Sequence, residues 1–312
     1  MDRNPFVSII IPAYNMRDYI TETLESVSRQ TFGDWEAIVV DDGSTDSTCE
    51  RVRHFLCDPR FRLIQQENKG VAGAINSGLR CASGDWVALL GADDIWLPEK
   101  LEKQVSLVRA QMDTALVFSN GIEFDERGDT GAFYREPRKM PVGDIILRLL
   151  ERNCLWASSV MVRRSDLLEV GMFDEDIAIG EDYLVWVRIL ARGGHAAGVW
   201  EPLVRYRKRG GSACSNKVHA FRDVEKVHTR FLDLDLTPEQ RATVHTALLR
   251  DRAGQCLALA RARLDAGEGS VATLLANAWM HMPAAPRPLA WILLLALPGG
   301  RKLLARKLSR RW

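Results

Sequence analysis

The chain has 312 residues, 46% of them hydrophobic and 27% charged, with a formal net charge of +1. That apolar content fills a sizeable core and excludes a disordered chain, and the near-zero balance excludes a protein that binds nucleic acid over its whole surface. The charge is uneven, because Arg301, Lys302, Arg306, Lys307, Arg310 and Arg311 crowd the C-terminus with no acid among them, so the tail is basic and the body is not.

Taken in chain order, strand and helix patterns alternate from the start. Short apolar runs predict strands near 7–11, 36–41, 61–65 and 86–91. Amphipathic stretches predict helices near 17–30, 46–57, 70–82 and 98–111. Such alternation implies parallel strands joined by right-handed crossovers, with helices on both faces of a sheet. From 114 to 135 the pattern changes to short strands and turns, with 114–119 and 121–125 expected as a strand pair or an edge. A helix near 142–151, a strand near 158–162, a helix near 182–192 and short strands at 195–199 and 203–207 follow. Lys208-Arg209-Gly210-Gly211-Ser212 is a polar, glycine-containing loop and the expected boundary. The division is a domain over 1–215 and a helical region over 216–312. Thr237-Pro238-Glu239-Gln240 is a helix start, with a capping Thr and Pro in the first turn.

Three polar clusters close the apolar runs: Pro12-Ala13-Tyr14-Asn15, Asp41-Asp42-Gly43-Ser44 and Gly91-Ala92-Asp93-Asp94. In a parallel sheet all three lie at the carboxyl rim, where ligands bind near the reversal of strand order. Asp93 and Asp94 repel each other unless a cation or donors offset them. Hard oxygen ligands suit Mg²⁺ or Mn²⁺, which complete their shells with substrate phosphates. The alternative is a helix N-cap ahead of Leu97-Pro98-Glu99-Lys100. Asp41 to Asp46 carries the same choice between a turn with a cap and a carboxylate for a base N–H or ribose hydroxyls. Tyr14 suits stacking on a base or simple packing. Asn68-Lys69-Gly70 with Asn76 is a further strand-to-helix turn toward the same rim. Glu181-Asp182 opens a helix, where negative charge is favourable. A general base there needs burial or a neighbouring acid to bring its pKa back toward the operating pH. Arg205, Arg207, Lys208 and Arg209 could hold a diphosphate or form a solvated face.

These residues together resemble the family 2 glycosyltransferases over residues 6–215. The resemblance rests on the run from Val7 to Asn15, Ser28-Arg29-Gln30-Thr31-Phe32, the run from Asp41 to Asp46, and Asn68-Lys69-Gly70. It continues through Gly91-Ala92-Asp93-Asp94 with Leu97-Pro98-Glu99-Lys100-Leu101, Val170-Gly171-Met172-Phe173-Asp174, and Glu181-Asp182 ahead of Trp186 and Arg188. It implies an α/β GT-A fold, a mostly parallel sheet flanked by helices, here with a helical C-terminal extension. It implies that Pro12, Tyr14 and Asp42 line the pocket for the nucleotide base, that Asp93 faces the ribose or sugar, and that Asp94 ligates Mn²⁺ or Mg²⁺. Asp182 is then the general base of an inverting transfer from a nucleotide sugar, commonly a UDP-sugar, to a glycan or lipid-linked acceptor in cell-surface polysaccharide synthesis. Many members carry an acid where this chain has Gly91, and an Arg common in the third motif is Ile75. The processive members carry Gln-x-x-Arg-Trp. Here Leu308 stands where that Gln would be, ahead of Arg311-Trp312, so one sugar per event is expected.

The tail offers two readings. Leu304, Ala305, Leu308 and Trp312 share one arc of a helix, opposite Lys302, Arg306, Lys307, Arg310 and Arg311. With Leu289 to Leu297, that makes either a membrane-surface element over 289–312, on an anionic inner face, or a terminal helix packed on the body. The longest apolar run, Leu289 to Leu297, is about half of the roughly 20 residues a spanning helix needs. Six cysteines, at 49, 57, 81, 154, 214 and 256, form no CxxC pair, which fits reduced thiols in a cytoplasmic protein without a signal peptide. Two other function classes remain. A nucleotidyltransferase predicts a glycine- and Lys/Arg-rich phosphate loop early in the chain, and Ala13-Tyr14-Asn15-Met16 has no glycine. A catalytically degenerate nucleotide-sugar-binding protein draws support from Gly91.

Overall fold

Val7-Ser8-Ile9-Ile10-Ile11-Pro12-Ala13 forms β1, and Val7, Ile9, Ile10 and Ile11 are fully buried. A strand apolar on both faces belongs in the middle of a sheet covered on both sides. In the computed structural model, β1 lies between two parallel neighbours, β2 (Trp35–Asp41) and β4 (Trp86–Leu89). The structure describes residues 4–133, 140–210, 216–266, 271–282, 291, 295, 303–304 and 307–308. The chain divides into two compact units, Met1–Gly210 and Gly211–Trp312.

In the first unit, helices α1 (Ile20–Ser28), α2 (Thr48–Arg53) and α3 (Gly70–Cys81) alternate with β1, β2, β3 (Phe61–Gln65) and β4. The order β3-β2-β1-β4 is wholly parallel, so strand order reverses beside β1. The far half of the sheet is mixed. It continues as β8 (Met161–Arg163), β6 (Thr114–Asp125), β9 (His195–Arg207) and β5 (Ile95–Trp96), with β7 (Gly128–Ala132) paired to β6. Helices α4 (Lys100–Ala110), α5 (Ile146–Glu151), α6 (Arg164–Glu169) and α7 (Glu181–Leu190) complete the unit.

The structure departs from the expected elements in ways that matter for the site. Residues 114–125 form one strand rather than a strand pair, and 195–207 form one strand rather than two. β6 and β9 pair in parallel along their length, with register shifts between Ser119 and Gly121 that absorb the break in the pattern. The expected strand at 158–162 starts as a short 3₁₀ turn, Ala157–Ser159, before β8. That turn brings Ser158 to the carboxyl end of β4, within hydrogen-bond reach of Gly91.

The second unit holds α8 (Lys217–Phe231), α9 (Pro238–Asp265) and α10 (Val271–His281). Thr237 and Gln240 cap α9 reciprocally: Gln240 N–H donates to Thr237 Oγ1 at 3.2 Å, and Thr237 N–H donates to Gln240 Oε1 at 2.9 Å. The core of this unit joins Leu257, Ala260, Leu275, Ala278, Trp291, Leu304 and Leu308. Leu304 and Leu308 are 0% exposed, so the described part of the tail's apolar arc is packed inside this unit. Lys307 is exposed, and Lys302, Arg306, Arg310, Arg311 and Trp312 lie outside the described residues. Among the described residues no helix is long and apolar enough to cross a membrane.

Candidate functional site

The loops after β1 and β2 are sewn together by side chains that bond backbone groups. Asn15 takes a left-handed backbone, φ 53°, which asparagine tolerates better than most residues. Its N–H donates to Ser44 Oγ at 2.9 Å and its Oδ1 accepts from Thr45 N–H at 2.9 Å. Met16 N–H donates to Thr48 Oγ1 at 2.8 Å. Gly43 adopts φ 78°, and a Cβ there would stand 3.0 Å from Asn68 N, so the turn after β2 requires glycine on both counts. Asp42 is buried and accepts from Gln66 Nε2 at 2.7 Å and Lys69 N–H at 2.9 Å. Beneath it Asp41 accepts from Cys49 Sγ at 2.9 Å. Burial, reinforced by Asp41, pushes the Cys49 thiol up to about 12. Pro12 is half-buried and Tyr14 is 45% exposed, so the phenol is available at the rim rather than packed in the core.

At the end of β4, Thr23 of α1 donates to the carbonyls of Ala92 and Asp94 at 3.0 and 2.9 Å, fixing the turn that carries both carboxylates. Asp94 is almost wholly buried; Ser158 Oγ donates to its Oδ2 at 2.5 Å and Arg207 N–H donates to its Oδ1 at 2.9 Å. Burial first, and the charge of Asp93 second, push its pKa up to about 7 against those two donors. Asp93 Oδ2 pairs with Arg209 Nε at 2.5 Å, and its carbonyl accepts from Arg207 Nε at 2.9 Å. Arg207 also pairs with Glu22 at 2.5 Å and lies 5.0 Å from the Tyr19 ring, while Arg209 reaches Met16 Sδ at 3.6 Å. The three strand-end clusters therefore meet at one rim: Asn15 joins the first two, and Arg207 and Arg209, at and just beyond the end of β9, tie the third to Glu22 and Met16. A divalent cation fits these residues, because Asp94 carries a carboxylate that burial and a neighbouring acid disfavour and that a positive ion would stabilise. Among the described residues no three His, Cys, Asp or Glu side chains converge.

Asp182 is buried in the first turn of α7, whose N-cap Gly180 has φ 87°. Its carboxylate accepts from Tyr183 N–H at 2.7 Å. Burial is the largest effect on its pKa and raises it to about 6; Tyr183 N–H, the Trp186 side chain and the Asn153 side chain oppose the rise. Trp186 stands one turn on and on the same helix face, and its buried indole N–H makes no hydrogen bond of ordinary geometry among the described residues. The helix N-terminus favours the charged form, and desolvation outweighs it.

Asn153 and Ser158 belong to one connector. At one end Asn153 lies near enough to Asp182 to oppose the rise in its pKa, and at the other Ser158 hydrogen-bonds Asp94. Five residues of fully extended chain span at most about 18 Å, which bounds the separation of its two ends. Between them Trp156 stacks on Phe133 with ring centroids 4.1 Å apart. Sequence reasoning missed Ser158 and Asn153. The available signal was a polar pair, Ser158-Ser159, at the mouth of the apolar run Val160-Met161-Val162. Two cavities of about 380 and 390 Å³ lie away from these carboxylates. The first is lined by Arg163 and Arg192, whose guanidinium groups are engaged by the carbonyls of Met112 and Thr114 and by Glu169.

The model of the family described as Glycosyl transferase family 2 matches residues 8–171. TuaG of Bacillus subtilis, named as a glycosyltransferase of teichuronic acid biosynthesis, is 34% identical over 72% of this chain and 90% of its own. WfgD of Escherichia coli, named a UDP-Glc:alpha-D-GlcNAc-diphosphoundecaprenol beta-1,3-glucosyltransferase, is 35% identical over 59% of this chain and 69% of its own. The solved structure of Staphylococcus aureus TarS 1-349 in complex with UDP-GlcNAc superposes with a TM-score of 0.64 at 19% identity, over 97% of this chain and 91% of that one.

Proposed function

The chain belongs to glycosyl transferase family 2, and from that premise we propose that it is an inverting, nonprocessive transferase. It moves one sugar from a UDP-sugar to a hydroxyl of a lipid-linked glycan during cell-surface polysaccharide synthesis, working in the cytoplasm. The similarity to proteins named for teichuronic acid biosynthesis and for a diphosphoundecaprenol acceptor supports the substrate class. The observation that carries the chemistry is a carboxylate rim at the sheet's switch point together with a buried Asp182 poised at about 6.

In this reading residues 1–215 carry the transferase. Pro12, Tyr14 and Asp42 hold the nucleotide base, with Asp42 braced by Gln66 and the Lys69 N–H. Asp93 faces the ribose or sugar with the oxygen that Arg209 leaves open. Asp94 would hold Mn²⁺ or Mg²⁺, which when bound neutralises charge on the departing diphosphate. The Asp182 carboxylate takes the proton of the acceptor hydroxyl. The oxygen then bonds to the anomeric carbon as the bond to the nucleoside diphosphate breaks on the opposite face, and the proton leaves to solvent. A base of pKa about 6 is ionised at pH 7 and still basic enough to accept a proton in the transition state.

The test is a panel of UDP-, dTDP- and GDP-sugars scored by thermal shift with Mn²⁺, followed by transfer to a diphosphoundecaprenol-linked acceptor. A UDP-sugar is expected to raise the melting temperature in proportion to ligand excess and to yield one added sugar. Binding without transfer or hydrolysis would favour the degenerate binding protein instead.

A further inference from the structure

Neither donor that holds Asp94 belongs to a strand-end cluster, and one of them, Ser158, lies in the turn ahead of β8. Ser158 Oγ accepts from Gly91 N–H at 3.0 Å and donates to Asp94 Oδ2 at 2.5 Å. A hydroxyl has a single proton, so with the Gly91 N–H as its own donor that proton is committed to the carboxylate. Turning the hydroxyl away would break both bonds at once, and the backbone that carries it is itself anchored. Trp96 Nε1 donates to Ser158 O at 2.8 Å, and Gln104 Nε2 donates to Ser159 O at 2.8 Å. Lys100 Nζ, buried and 3.8 Å above the Trp96 ring, donates to Gln104 Oε1 at 2.7 Å and so fixes which end of that amide faces Ser159.

Gly91 bears on the same atoms. A Cβ at 91 would lie 3.0 Å from Asp94 Oδ2, 3.3 Å from Asp93 Oδ1 and 3.4 Å from Ser158 Oγ. The hydroxyl and carboxylate thus close the space where a side chain at 91 would begin. The second donor, Arg207 N–H, binds the other carboxylate oxygen, so the plane of the Asp94 carboxylate is set from both sides while each oxygen keeps a lone pair.

We propose that Ser158 is a positioning residue for metal binding: its hydroxyl, held by the Gly91 N–H on a backbone anchored through Trp96 and Gln104, fixes the orientation in which Asp94 would ligate a divalent cation. The proposal rests on the reading of Asp94 as the metal ligand. Partners that orient a ligand in this way typically change metal affinity by about 10- to 100-fold when removed.

The experiment measures Mn²⁺ binding to the full chain in the presence of UDP, from the electron paramagnetic resonance of the free ion, with metal-free melting temperatures alongside. Ser158→Ala is expected to weaken Mn²⁺ by at least about tenfold. Ser158→Thr keeps the hydroxyl and is expected to bind close to wild type. A purely packing role would lower the metal-free melting temperature and leave Mn²⁺ affinity of the folded protein unchanged. Wild-type affinity in Ser158→Ala, or a loss in Ser158→Thr equal to that in Ser158→Ala, overturns the inference and leaves the metal reading standing. Wild-type affinity in Asp94→Asn, or no Mn²⁺ binding by the wild type with UDP, removes both.

Discussion

Replacing Asp182 by Asn separates stability from chemistry in opposite directions. Burial raises the Asp182 pKa from an ordinary 3.8 to about 6. At about 1.4 kcal/mol per unit, the folded protein bears roughly 3 kcal/mol for keeping this group charged at neutral pH. Between the ordinary value and about 6 the folded state holds a proton that the unfolded state has released. Stability therefore falls as pH rises through that window and stays lower above it. The substituted amide carries no charge to desolvate, and its carbonyl oxygen can still accept from Tyr183 N–H. Asp182→Asn should then be more stable than wild type at pH 8 by up to about 3 kcal/mol, with the difference closing toward pH 4. In a unit of this size that is roughly 6–12 °C of melting temperature. Transfer should fall by about 10²- to 10⁴-fold, the usual contribution of a general base. Wild-type kcat/KM should rise through an acid limb near pH 6, matching the shifted group. Calorimetry in EDTA at pH 4, 6 and 8, with a transfer assay on the same preparations, tests both halves. Equal melting of the two proteins at pH 8, or unchanged turnover in the folded variant, would refute the reasoning.

Thiol labelling should follow burial. Cys57 and Cys81 are exposed, whereas Cys49 is pushed up to about 12 and Cys154 to about 11. At pH 8, peptide mapping after brief iodoacetamide treatment should find label at Cys57 and Cys81 and none at Cys49 or Cys154 until the protein is unfolded. In the second unit, Leu308→Ala removes a side chain that is 0% exposed and should cost about 2–5 kcal/mol in urea unfolding. Lys307→Ala, at the exposed neighbour, should change stability by less than about 0.5 kcal/mol. Equal effects of the two would mean that the apolar arc does not pack as described.

Much of the rim is legible in the sequence because each strand-end cluster is local. Val7 to Ile11 ends at Pro12-Ala13-Tyr14-Asn15, and the apolar period alone places those residues at a strand terminus. Asp41-Asp42 and Asp93-Asp94 follow by the same logic. The arginines at and beyond the end of β9 are visible only as a basic cluster; that Arg207 and Arg209 reach Asp93 and Asp94 depends on β9 pairing with β5 and β6, which no local pattern encodes. Ser158 is harder still. Its place at the site depends on a short 3₁₀ turn, on two buried donors that hold the Ser158 and Ser159 carbonyls and on the Gly91 N–H that its hydroxyl accepts, and the last three are tertiary contacts. The two-residue strand β5 is too short to show a period. For Asp182 the helix start is readable but the burial is not, so the sign of its pKa shift waits on the fold.

The connector from Asn153 to Ser158 gives the molecule an unusual economy of parts. One short strap supports the proposed proton acceptor with one hand and the proposed cation seat with the other. A single-residue insertion or deletion within it would disturb both at once.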